Sequence, residues 1–463
     1  MNWPTLTIDP LSPHQVERLT LATGRRLGIL GGSPGTGKTF TAAQLVSALG
    51  NEIGFDQIAA AAPTGKAAVR LSEAMNGYGI PLVARTIHSL LVVESQEGGG
   101  GWSFKHNRME PLPFKALVID ESSMIDTDLM ASLMAARAKD CLVLFIGDVQ
   151  QLPPVGHGAP LRDMIAAGVP YGELTEIKRQ QSGSDRVHAV VQACADIRDG
   201  RQFSCGEELR HVAAFTPEAQ IAWMTDTIDS ASRSMKIHPV WDVQVLCAVN
   251  KKSELSRKEL NKVLQAQLNP NQPQHGSPFR VADKVVNTKN GWFPLVEVAG
   301  KSASGGVILA DNDPNLQLNS DGKVYVANGE LGEVMEVHPN FMHVRLTAPK
   351  RLIVVPRGAA DVNDDGGDEE STGTGCNWDL GYALSVHKSQ GSEWPVVIVM
   401  VDDSGAAKRI CSREWLYTAI SRAKNCCYLV GNLAIAQGFC RRTAIDKRKT
   451  FLKERIQERI RKL

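Results

Sequence analysis

The sequence predicts an α/β protein with two domains built on parallel sheets, a small β-barrel inserted into the second domain and a β-hairpin inserted into the first. Apolar strand-like runs alternate with helical stretches in the first third of the chain and again in the last half. From about residue 276 to residue 352, short strands and turns replace this alternation, which is typical of a small antiparallel barrel. A chain of 463 residues is also too long for one ordinary core. The predicted parts are domain 1 at 1–172 with its hairpin insertion at about 91–113, the first part of domain 2 at 173–275, the barrel and an acidic loop at 276–375, and the second part of domain 2 with a basic tail at 376–463.

The composition predicts a soluble cytosolic protein. Hydrophobic residues make up 43% and charged residues 22% of the chain. No apolar run approaches the ~20 residues that span a bilayer, and the N-terminus lacks the pattern of a signal peptide. The nine cysteines have no metal-ligand spacing, so we expect buried, reduced thiols. Because the net charge is only +1, any nucleic-acid contact must come from a local groove. The basic tail "RRTAIDKRKTFLKERIQERIRKL" either touches phosphates or forms a solvated C-terminal helix, and we favour the helix.

The first strand-like run, "RLGIL", is followed by "GGSPGTGKTFTAAQLV". This stretch contains the spacing Gly32-x-x-x-x-Gly37-Lys38-Thr39 of a phosphate-binding P-loop. Its glycines let backbone N–H groups curl round a phosphate, and the following helix points its positive end at it. Lys38 is expected to reach the β- and γ-phosphates of ATP, and Thr39 to hold Mg²⁺. The alternative is a glycine-rich turn without a ligand. The predicted ATP contacts in this stretch are Gly32, Pro34, Gly35, Thr36, Gly37, Lys38, Thr39 and Phe40.

Two acidic residues end the strand-like run "ALVID". Asp120 is placed to hold Mg²⁺ through water, and Glu121 to take the proton from the attacking water. A helix N-cap is the alternative explanation of such a pair. Phosphoryl transfer also needs positive charge on the γ-phosphate as it leaves, and Arg179 and Arg422 are the candidates. Both lie beyond domain 1, so we expect a second domain to complete the site and hydrolysis to be coupled to domain closure.

Eight motifs follow one another in the chain: "GGSPGTGKT", "APTGKAA", "RTIHSLL", "LVIDESSM", "GDVQQLPPVGHG", "LTEIKRQ", "ALSVHKSQGSEW" and "LYTAISRAK". This ordered series closely resembles the superfamily 1 helicases, and best the branch that includes RecD and the phage Dda helicase, to which the chain is most similar in size and layout. The resemblance covers roughly Ser12 to Gly431. It implies two RecA-like domains with ATP between them and single-stranded DNA across their tops. It also implies 5′ to 3′ movement, a barrel around "VYVANGELGEV", and a duplex-splitting hairpin at the position of the glycine-rich insertion.

The resemblance also implies roles for individual residues. Gln151 would hydrogen-bond the γ-phosphate or its attacking water, with Pro153 and Pro154 fixing the backbone beside it; the alternative is a sharp turn with incidental amides. Gln15 resembles the glutamine that reads the adenine edge, although a lone glutamine is usually a helix surface residue. Gly391 and Glu393 resemble residues that approach the nucleotide from the second domain. Residues that resemble sequence-independent contacts to single-stranded DNA are Pro63, Thr64, Lys66, Thr86, His88, Ser385, His387, Lys388 and Ser389.

Two aromatic residues mark the hairpin insertion "EGGGGWSFKHN". Trp102 and Phe104 are two positions apart, so in a strand they share one face. Together they form either a flat apolar tip on which the first base pair of a duplex breaks, or anchors that hold the hairpin to the core of domain 1. Aromatic residues usually act as anchors.

The leading functional hypothesis is an ATP- and Mg²⁺-dependent 5′ to 3′ translocase on single-stranded DNA that also unwinds duplexes at single-strand/double-strand junctions. One alternative is a translocase that separates strands poorly. A second is an ATP-gated nucleic-acid clamp or accessory subunit, and an RNA substrate is also open. We expect a monomer in the cytosol of a bacterium or a phage-infected cell, without membrane contact. Single-strand-binding or replication proteins are candidate partners, and the pathway (replication, repair or recombination) is not decided by the sequence.

Overall fold

A computed structural model of the chain describes residues 3, 10–95, 102–176, 189–296, 312, 316, 318, 319, 321–347, 350–357, 376–448 and 450–461. The strands are β1 Leu27–Gly32, β2 Ile58–Ala62, β3 Arg85–Thr86, β4 Val93–Ser95, β5 Trp102–Phe104, β6 Ala116–Ile119, β7 Leu142–Gly147, β8 Tyr171–Leu174, β9 Leu209–Val212, β10 Val243–Cys247, β11 Lys284–Asn287, β12 Gly291–Pro294, β13 Lys323–Val326, β14 Leu331–Val337, β15 Phe341–Thr347, β16 Lys350–Pro356, β17 Trp378–Leu380, β18 Ala383–Ser385, β19 Trp394–Met400 and β20 Ala423–Val430. The α-helices are α1 Pro13–Ala22, α2 Lys38–Ile53, α3 Gly65–Gly77, α4 Ile87–Leu91, α5 Thr127–Ala136, α6 Pro160–Ala166, α7 Ala189–Arg198, α8 Pro217–Met235, α9 Arg257–Leu268, α10 Gly405–Ile410, α11 Arg413–Ser421, α12 Leu433–Phe439 and α13 Leu452–Arg461.

The chain divides into two compact units. Unit 1 comprises Met1–Ser204, Ser412–Ser421 and Gln437–Leu463, and unit 2 comprises Cys205–Cys411 and Arg422–Ala436. This division differs from the predicted boundaries, because residues 173–204 and two segments of the last quarter lie in unit 1. The pairing of the strands explains the first difference: β8 pairs with β1 and so ends the sheet of unit 1. Helix packing explains the second, since α11 packs on α7 and α13 on α6.

Unit 1 is built on a parallel sheet of six strands in the order β3-β2-β6-β7-β1-β8. Strands β2, β6 and β7 are buried along their whole length, as expected for strands covered by helices on both faces. Their apolar sequences "IAAAA", "ALVI" and "LVLFIG" carry no alternation for the same reason. The parallel α/β layout predicted for the first part of the chain is confirmed.

Unit 2 contains a parallel sheet of five strands in the order β18-β10-β19-β20-β9. The predicted insertion contains a second sheet, which is antiparallel and has the order β16-β15-β14-β11-β17. Its last strand, β17, lies beyond the predicted end of the insertion at residue 375. Strands β12 and β13 form a separate antiparallel pair. The predicted acidic loop at 361–375 lies outside the described residues.

The hairpin insertion contains the antiparallel pair β4–β5, in which Val93 lies opposite Phe104. The glycines between these strands lie outside the described residues.

The basic tail ends in α13, whose Leu452 and Ile456 pack against the core of unit 1. Within the described ranges, no helix is both long enough and apolar enough to cross a membrane. All nine cysteines are free thiols, and most of them are buried.

Candidate nucleotide and DNA site

The predicted nucleotide residues of unit 1 lie at one edge of its sheet. Because the strands are parallel, their carboxyl ends share that edge, where ligands of open α/β sheets bind. Strand β1 leads into the P-loop, β6 into Asp120 and Glu121, and β7 into Asp148. These three strands are neighbours in the order β6-β7-β1, so the motifs that follow them lie side by side.

The backbone of the P-loop requires glycine. Gly35 and Gly37 have φ of 80° and 83°, in the left-handed region. A Cβ on Gly32 would lie 2.7 Å from Thr36 Oγ1 and 2.8 Å from the carbonyl oxygen of Leu174, so a larger residue would clash. Helix α2 begins behind Gly37 without a side-chain cap. Its first N–H groups therefore form a site for an anion.

Lys38 holds its ammonium group inside this loop. Its Nζ donates to the carbonyl oxygens of Gly32 at 2.6 Å and Ser33 at 3.1 Å. Thr39 follows in the first turn of α2 and is half-buried. Phe40 instead makes an edge-to-face contact with Tyr78, at 5.3 Å between ring centroids. The ammonium group of Lys38 thus lies within the P-loop, and its contact with phosphate, like that of Phe40 with ATP, stays a prediction.

Asp120 and Glu121 form a strained, charged pair. The Glu121 backbone N–H donates to Asp120 Oδ1 at 2.8 Å. Glu121 has φ of 48°, which a residue with a Cβ rarely adopts and which marks functional sites. It stands at the start of a short 3₁₀ helix, Ser122–Met124, yet its side chain makes no cap hydrogen bond. The N-cap explanation of this carboxylate therefore finds no support.

Burial, together with the neighbouring charge of Glu121, raises the pKa of Asp120 to about 6, while Lys38 and Arg70 pull it down. A carboxyl group with these surroundings gains from a cation. The hydroxyl of Thr39 and the carboxylate of Asp120 are hard oxygen donors of the kind that Mg²⁺ prefers. The donor set therefore fits the predicted metal. Arg70 lies on α3, and its proximity to Asp120 was not foreseen from the sequence.

The segment after β7 holds a buried amide. Gln151 is 4% exposed, and its Oε1 has no hydrogen-bond partner within the described part of the chain. A buried polar atom left unpaired costs about 1–3 kcal/mol, so its retention suggests a ligand. Pro153 and Pro154 beside it are buried as well. This environment agrees with a rigid amide that meets a phosphate or its water.

Helix α11 supplies two contacts that the sequence reasoning missed. The Tyr417 hydroxyl donates to Asp148 Oδ2 at 2.7 Å, and the Leu152 N–H donates to Thr418 Oγ1 at 2.9 Å. Tyr417 also hydrogen-bonds Ser33 of the P-loop. Both Tyr417 and Thr418 lie in the motif "LYTAISRAK", in which only Arg422 has a role predicted from the sequence. These contacts connect the P-loop, the segment after β7 and α11 inside unit 1.

Gln15 has a structural role. Its side-chain Oε1 accepts from the Ser12 backbone N–H at 3.0 Å, and its backbone N–H donates to Ser12 Oγ. The pair therefore forms a capping box at the start of α1. Its Nε2 donates to Thr41 Oγ1 at 3.0 Å. A contact of Gln15 with adenine stays a prediction.

The predicted nucleotide residues of unit 2 lie together. Arg422 is 3% exposed and donates to the carbonyl oxygen of Ser392 at 3.2 Å, between Gly391 and Glu393. The Trp394 N–H donates to the carbonyl oxygen of Arg422 at 3.0 Å. This cluster lies where β19 and β20 begin. The other candidate arginine, Arg179, lies outside the described residues.

Two predicted DNA residues of unit 1 cap helices. Thr64 Oγ1 accepts from the Ala67 N–H at 3.3 Å at the start of α3, and Thr86 Oγ1 accepts from the Ser89 N–H at 3.0 Å at the start of α4. These caps follow β2 and β3, at the same edge of the sheet as the P-loop. Pro63 and Lys66, beside the first cap, are half-buried.

His88 contacts the hairpin insertion. Its ring centroid lies 5.8 Å from that of Phe104. Burial lowers the pKa of His88, and Asp126 partly offsets this, so the surroundings favour the neutral imidazole. Phe104 packs against the core of unit 1, as an anchor does. The side chain of Trp102 lies outside the described part of the structure.

In unit 2 the predicted DNA residues follow β18. Ser389 is fully buried and donates to the carbonyl oxygen of Val386 at 2.8 Å. Ser385 is buried too, while His387 and Lys388 are half-exposed. The last two are thus the residues of this group with surface for a ligand.

Residues 10–215 match the family model of an AAA domain, and residues 380–430 match the UvrD-like helicase C-terminal domain. The chain is 32% identical over 454 residues to the ATP-dependent RecD2 DNA helicase of Deinococcus radiodurans, covering 96% of this chain and 52% of that protein. It is 27% identical to the RecBCD enzyme subunit RecD of Mycolicibacterium smegmatis, covering 94% and 74%. The chain is therefore similar along nearly its whole length to RecD-type helicases, in agreement with the ordered series of superfamily 1 motifs.

The fold agrees with this family. A solved structure of Pif1 helicases at forked double-stranded DNA aligns over 98% of this chain and 97% of its own, with a TM-score of 0.50 and 17% identity. The predicted fold class, with two RecA-like domains, is therefore confirmed. The chain spans only about half the length of the RecD2 helicase. A special likeness to the phage Dda helicase stays a prediction.

Proposed function

We propose that the chain is an ATP-driven motor that moves 5′ to 3′ on single-stranded DNA and unwinds duplexes. One observation supports this most strongly: the carboxyl edge of the unit 1 sheet carries both the P-loop, after β1, and the capped helices of the predicted DNA contacts, after β2 and β3. Strands β6 and β7 lie between β2 and β1 in the sheet, and they lead into Asp120 with Glu121 and into the segment of Gln151. The RecD2 relative is named an ATP-dependent DNA helicase, which favours ATP-driven helicase activity here.

The hydrolysis step would use the residues that the sequence assigns to it. Lys38 neutralises charge on the β- and γ-phosphates, and Glu121 takes the proton of the attacking water. Bound Mg²⁺, held by Thr39 and Asp120, would neutralise further phosphate charge. The unpaired amide oxygen of Gln151 would accept from the attacking water, and its N–H groups would donate to the γ-phosphate. Arg422, and Arg179 with it, stabilise the charge of the transition state.

Coupling to DNA would run through α3. This helix begins at the capping Thr64, and its Arg70 acts electrostatically on Asp120. A phosphate of the strand, bound at the first turn of α3, would bias the position of the whole helix and hence of Arg70. Backbone N–H groups and small hydroxyls grip phosphates without reading bases, as a motor that meets every sequence requires.

Unwinding assays with a duplex carrying a 5′ tail, a 3′ tail or no tail test this function. We expect ATP-dependent strand separation with the 5′ tail only. ATP hydrolysis should rise with the length of added poly-dT. Stimulation by poly-dT without unwinding would identify a translocase, and hydrolysis insensitive to DNA would identify a clamp or accessory subunit. Either result would overturn the proposed helicase activity, and parallel assays on RNA would test the substrate.

The hairpin provides a sharper test of strand separation. Because Phe104 packs on the core, Phe104→Ala should lower the melting temperature. If Trp102 forms the separating tip, Trp102→Ala should keep the melting temperature and the poly-dT-stimulated hydrolysis while losing unwinding. A Trp102→Ala variant with full unwinding would exclude this role.

A further inference from the structure

The hairpin of β14 and β15 in unit 2 carries a cluster of residues to which neither ATP hydrolysis nor DNA binding was assigned above. Glu336 Oε2 lies 3.2 Å from His338 Nε2 and 3.1 Å from His343 Nδ1. One nitrogen or oxygen atom from each of these residues lies within 4.8 Å of the others. We propose that this cluster binds a divalent transition-metal cation of the zinc class.

The donor set selects this class of ion. Two imidazoles and one carboxylate are a common ligand set for zinc, with further positions left to water. Tetrahedral ligands at about 2.0–2.1 Å from zinc stand roughly 3.3 Å apart. The carboxylate oxygen already has nearly this separation from both ring nitrogens. Mg²⁺ and Ca²⁺ prefer all-oxygen sites and therefore fit poorly.

The backbone brings the three ligands together in advance. Glu336 lies opposite His343 in the register of the two strands, and a β-bulge between Val334 and Glu336 adjoins the cluster. Bulges often re-aim side chains at sites. The turn is closed by the His338 N–H, which donates to the carbonyl oxygen of Phe341 at 2.8 Å. Little conformational entropy would be lost when an ion binds.

The surroundings allow an ion to enter and hold the rings in place. The side chains of Glu336, His338 and His343 are 30%, 38% and 19% exposed, so the cluster is open to solvent on one side. The ring of Phe341 stacks on that of His338, with 4.3 Å between centroids, and lies 5.3 Å from that of His343. A bound cation would link both strands across the turn and so stabilise the hairpin.

The test uses the full-length chain, freed of metal with a chelator and kept in millimolar Mg²⁺ without nucleotide. Titration with Co²⁺ should give weak visible bands that saturate at one equivalent, and Zn²⁺ should displace them. Zn²⁺ should also raise the melting temperature. Glu336→Gln, His338→Ala and His343→Ala should each weaken binding by about tenfold to 100-fold or more. Glu333→Gln removes a carboxylate from the same hairpin outside the cluster, so it should bind like the unchanged chain.

Several results would overturn the proposal. One is the absence of saturable Co²⁺ binding. Another is Co²⁺ binding as tight as that of the unchanged chain in a variant that combines Glu336→Gln, His338→Ala and His343→Ala. A third is loss of Co²⁺ binding in Glu333→Gln. A near-ultraviolet sulfur-to-cobalt band would also do so, since it would place the ion on the exposed Cys205 or the half-buried Cys376. The melting temperature of each metal-free variant should match that of the unchanged chain. If an alanine variant fails to fold, Glu336→Gln decides, because the amide keeps the volume of the side chain.

Discussion

The two parallel sheets place their predicted sites differently. In unit 1, the P-loop and the capping residues Thr64 and Thr86, assigned to DNA, lie at the carboxyl edge of one sheet. In unit 2 the residues assigned to DNA and to ATP are separated along the strands: Ser385 ends β18 and His387 to Ser389 follow it, whereas Gly391, Glu393 and Arg422 precede β19 and β20.

This difference suggests two routes of coupling. In unit 1, coupling between the proposed DNA and ATP sites would run across the sheet edge, through α3 and Arg70 to Asp120. In unit 2 it would run along the chain, because residues 386–393 connect the end of β18 to the start of β19. Substitutions in the two units should therefore differ in how they change ATP turnover and its stimulation by DNA.

The largest effect is expected from the unit 1 nucleotide site. Lys38→Ala should abolish hydrolysis, and Glu121→Gln should bind ATP yet hydrolyse it ~10²-fold more slowly or worse, because an amide cannot accept the proton. Nucleotide binding by fluorescence and steady-state hydrolysis would measure this. Glu52→Gln, an exposed change on α2, is the control. Near-normal turnover of Glu121→Gln would remove this residue from the mechanism.

A comparable loss is expected from the cluster in unit 2. Arg422→Ala should bind ATP nearly normally and lose about 100-fold or more in turnover, since its charge acts in the transition state. Arg210→Ala, an exposed arginine of unit 2, should leave turnover unchanged. If Arg422→Ala lost ATP affinity and melting temperature together, its hydrogen bond to Ser392 would be structural only.

An intermediate effect is expected where α11 meets the segment after β7. Tyr417→Phe removes the hydroxyl that donates to Asp148 and leaves a buried carboxylate oxygen unpaired, at a cost of about 1–3 kcal/mol. Turnover should also fall, because the hydrogen bond to Asp148 holds the segment that carries Gln151. Tyr428→Phe removes a hydroxyl from unit 2 and is the control. Unchanged stability and turnover would show that the hydrogen bond to Asp148 contributes nothing.

A smaller effect is expected at the cap of α3. Thr64→Ala should cost about 1 kcal/mol through the lost cap and reduce DNA-stimulated hydrolysis several-fold, with the basal rate kept. Thr64→Ser should restore both. Thr216→Ala removes an equivalent cap from α8 of unit 2 and should cost stability alone. If both alanine variants lowered DNA stimulation equally, Thr64 would have no specific part in it.

The smallest effect concerns pH. Asp120 has its pKa raised to about 6 in the absence of nucleotide, so it takes up a proton as pH falls through 6, and Mg²⁺-dependent ATP binding should weaken there. Arg70 lowers this pKa, so Arg70→Ala should move the midpoint upward. The shift should be a few tenths of a pH unit because Arg70 is exposed and screened. ATP-binding titrations from pH 5 to pH 8 would measure it, and a downward shift would contradict the assignment.

The sequence was most informative where chemistry restricts residue type and spacing. The P-loop, the acidic pair after β6 and the parallel sheets could be read from glycines, carboxylates and unbroken apolar runs. Tyr417 and Arg70 could not, because their contacts depend on which helix packs beside which strand. Thr64 and Thr86 were assigned to DNA, but their role as helix caps was not predicted. One threonine hydroxyl can serve either purpose, so the residue type alone does not distinguish a cap from a phosphate contact.

The path of the chain through the units has a consequence for biosynthesis. The chain leaves unit 1 after Ser204, returns at Ser412, leaves after Ser421 and returns at Gln437. During translation the sheet of unit 1 emerges first, yet Asp148 must wait for Tyr417, made more than half a chain later. The nucleotide site is therefore incomplete while the chain is still growing on the ribosome, and unit 2 can fold first. Ribosome-bound chains stalled near residue 410 should bind ATP analogues poorly. In pulse-labelled chains that continue to grow, unit 1 should become resistant to protease only once α11 and α13 have emerged.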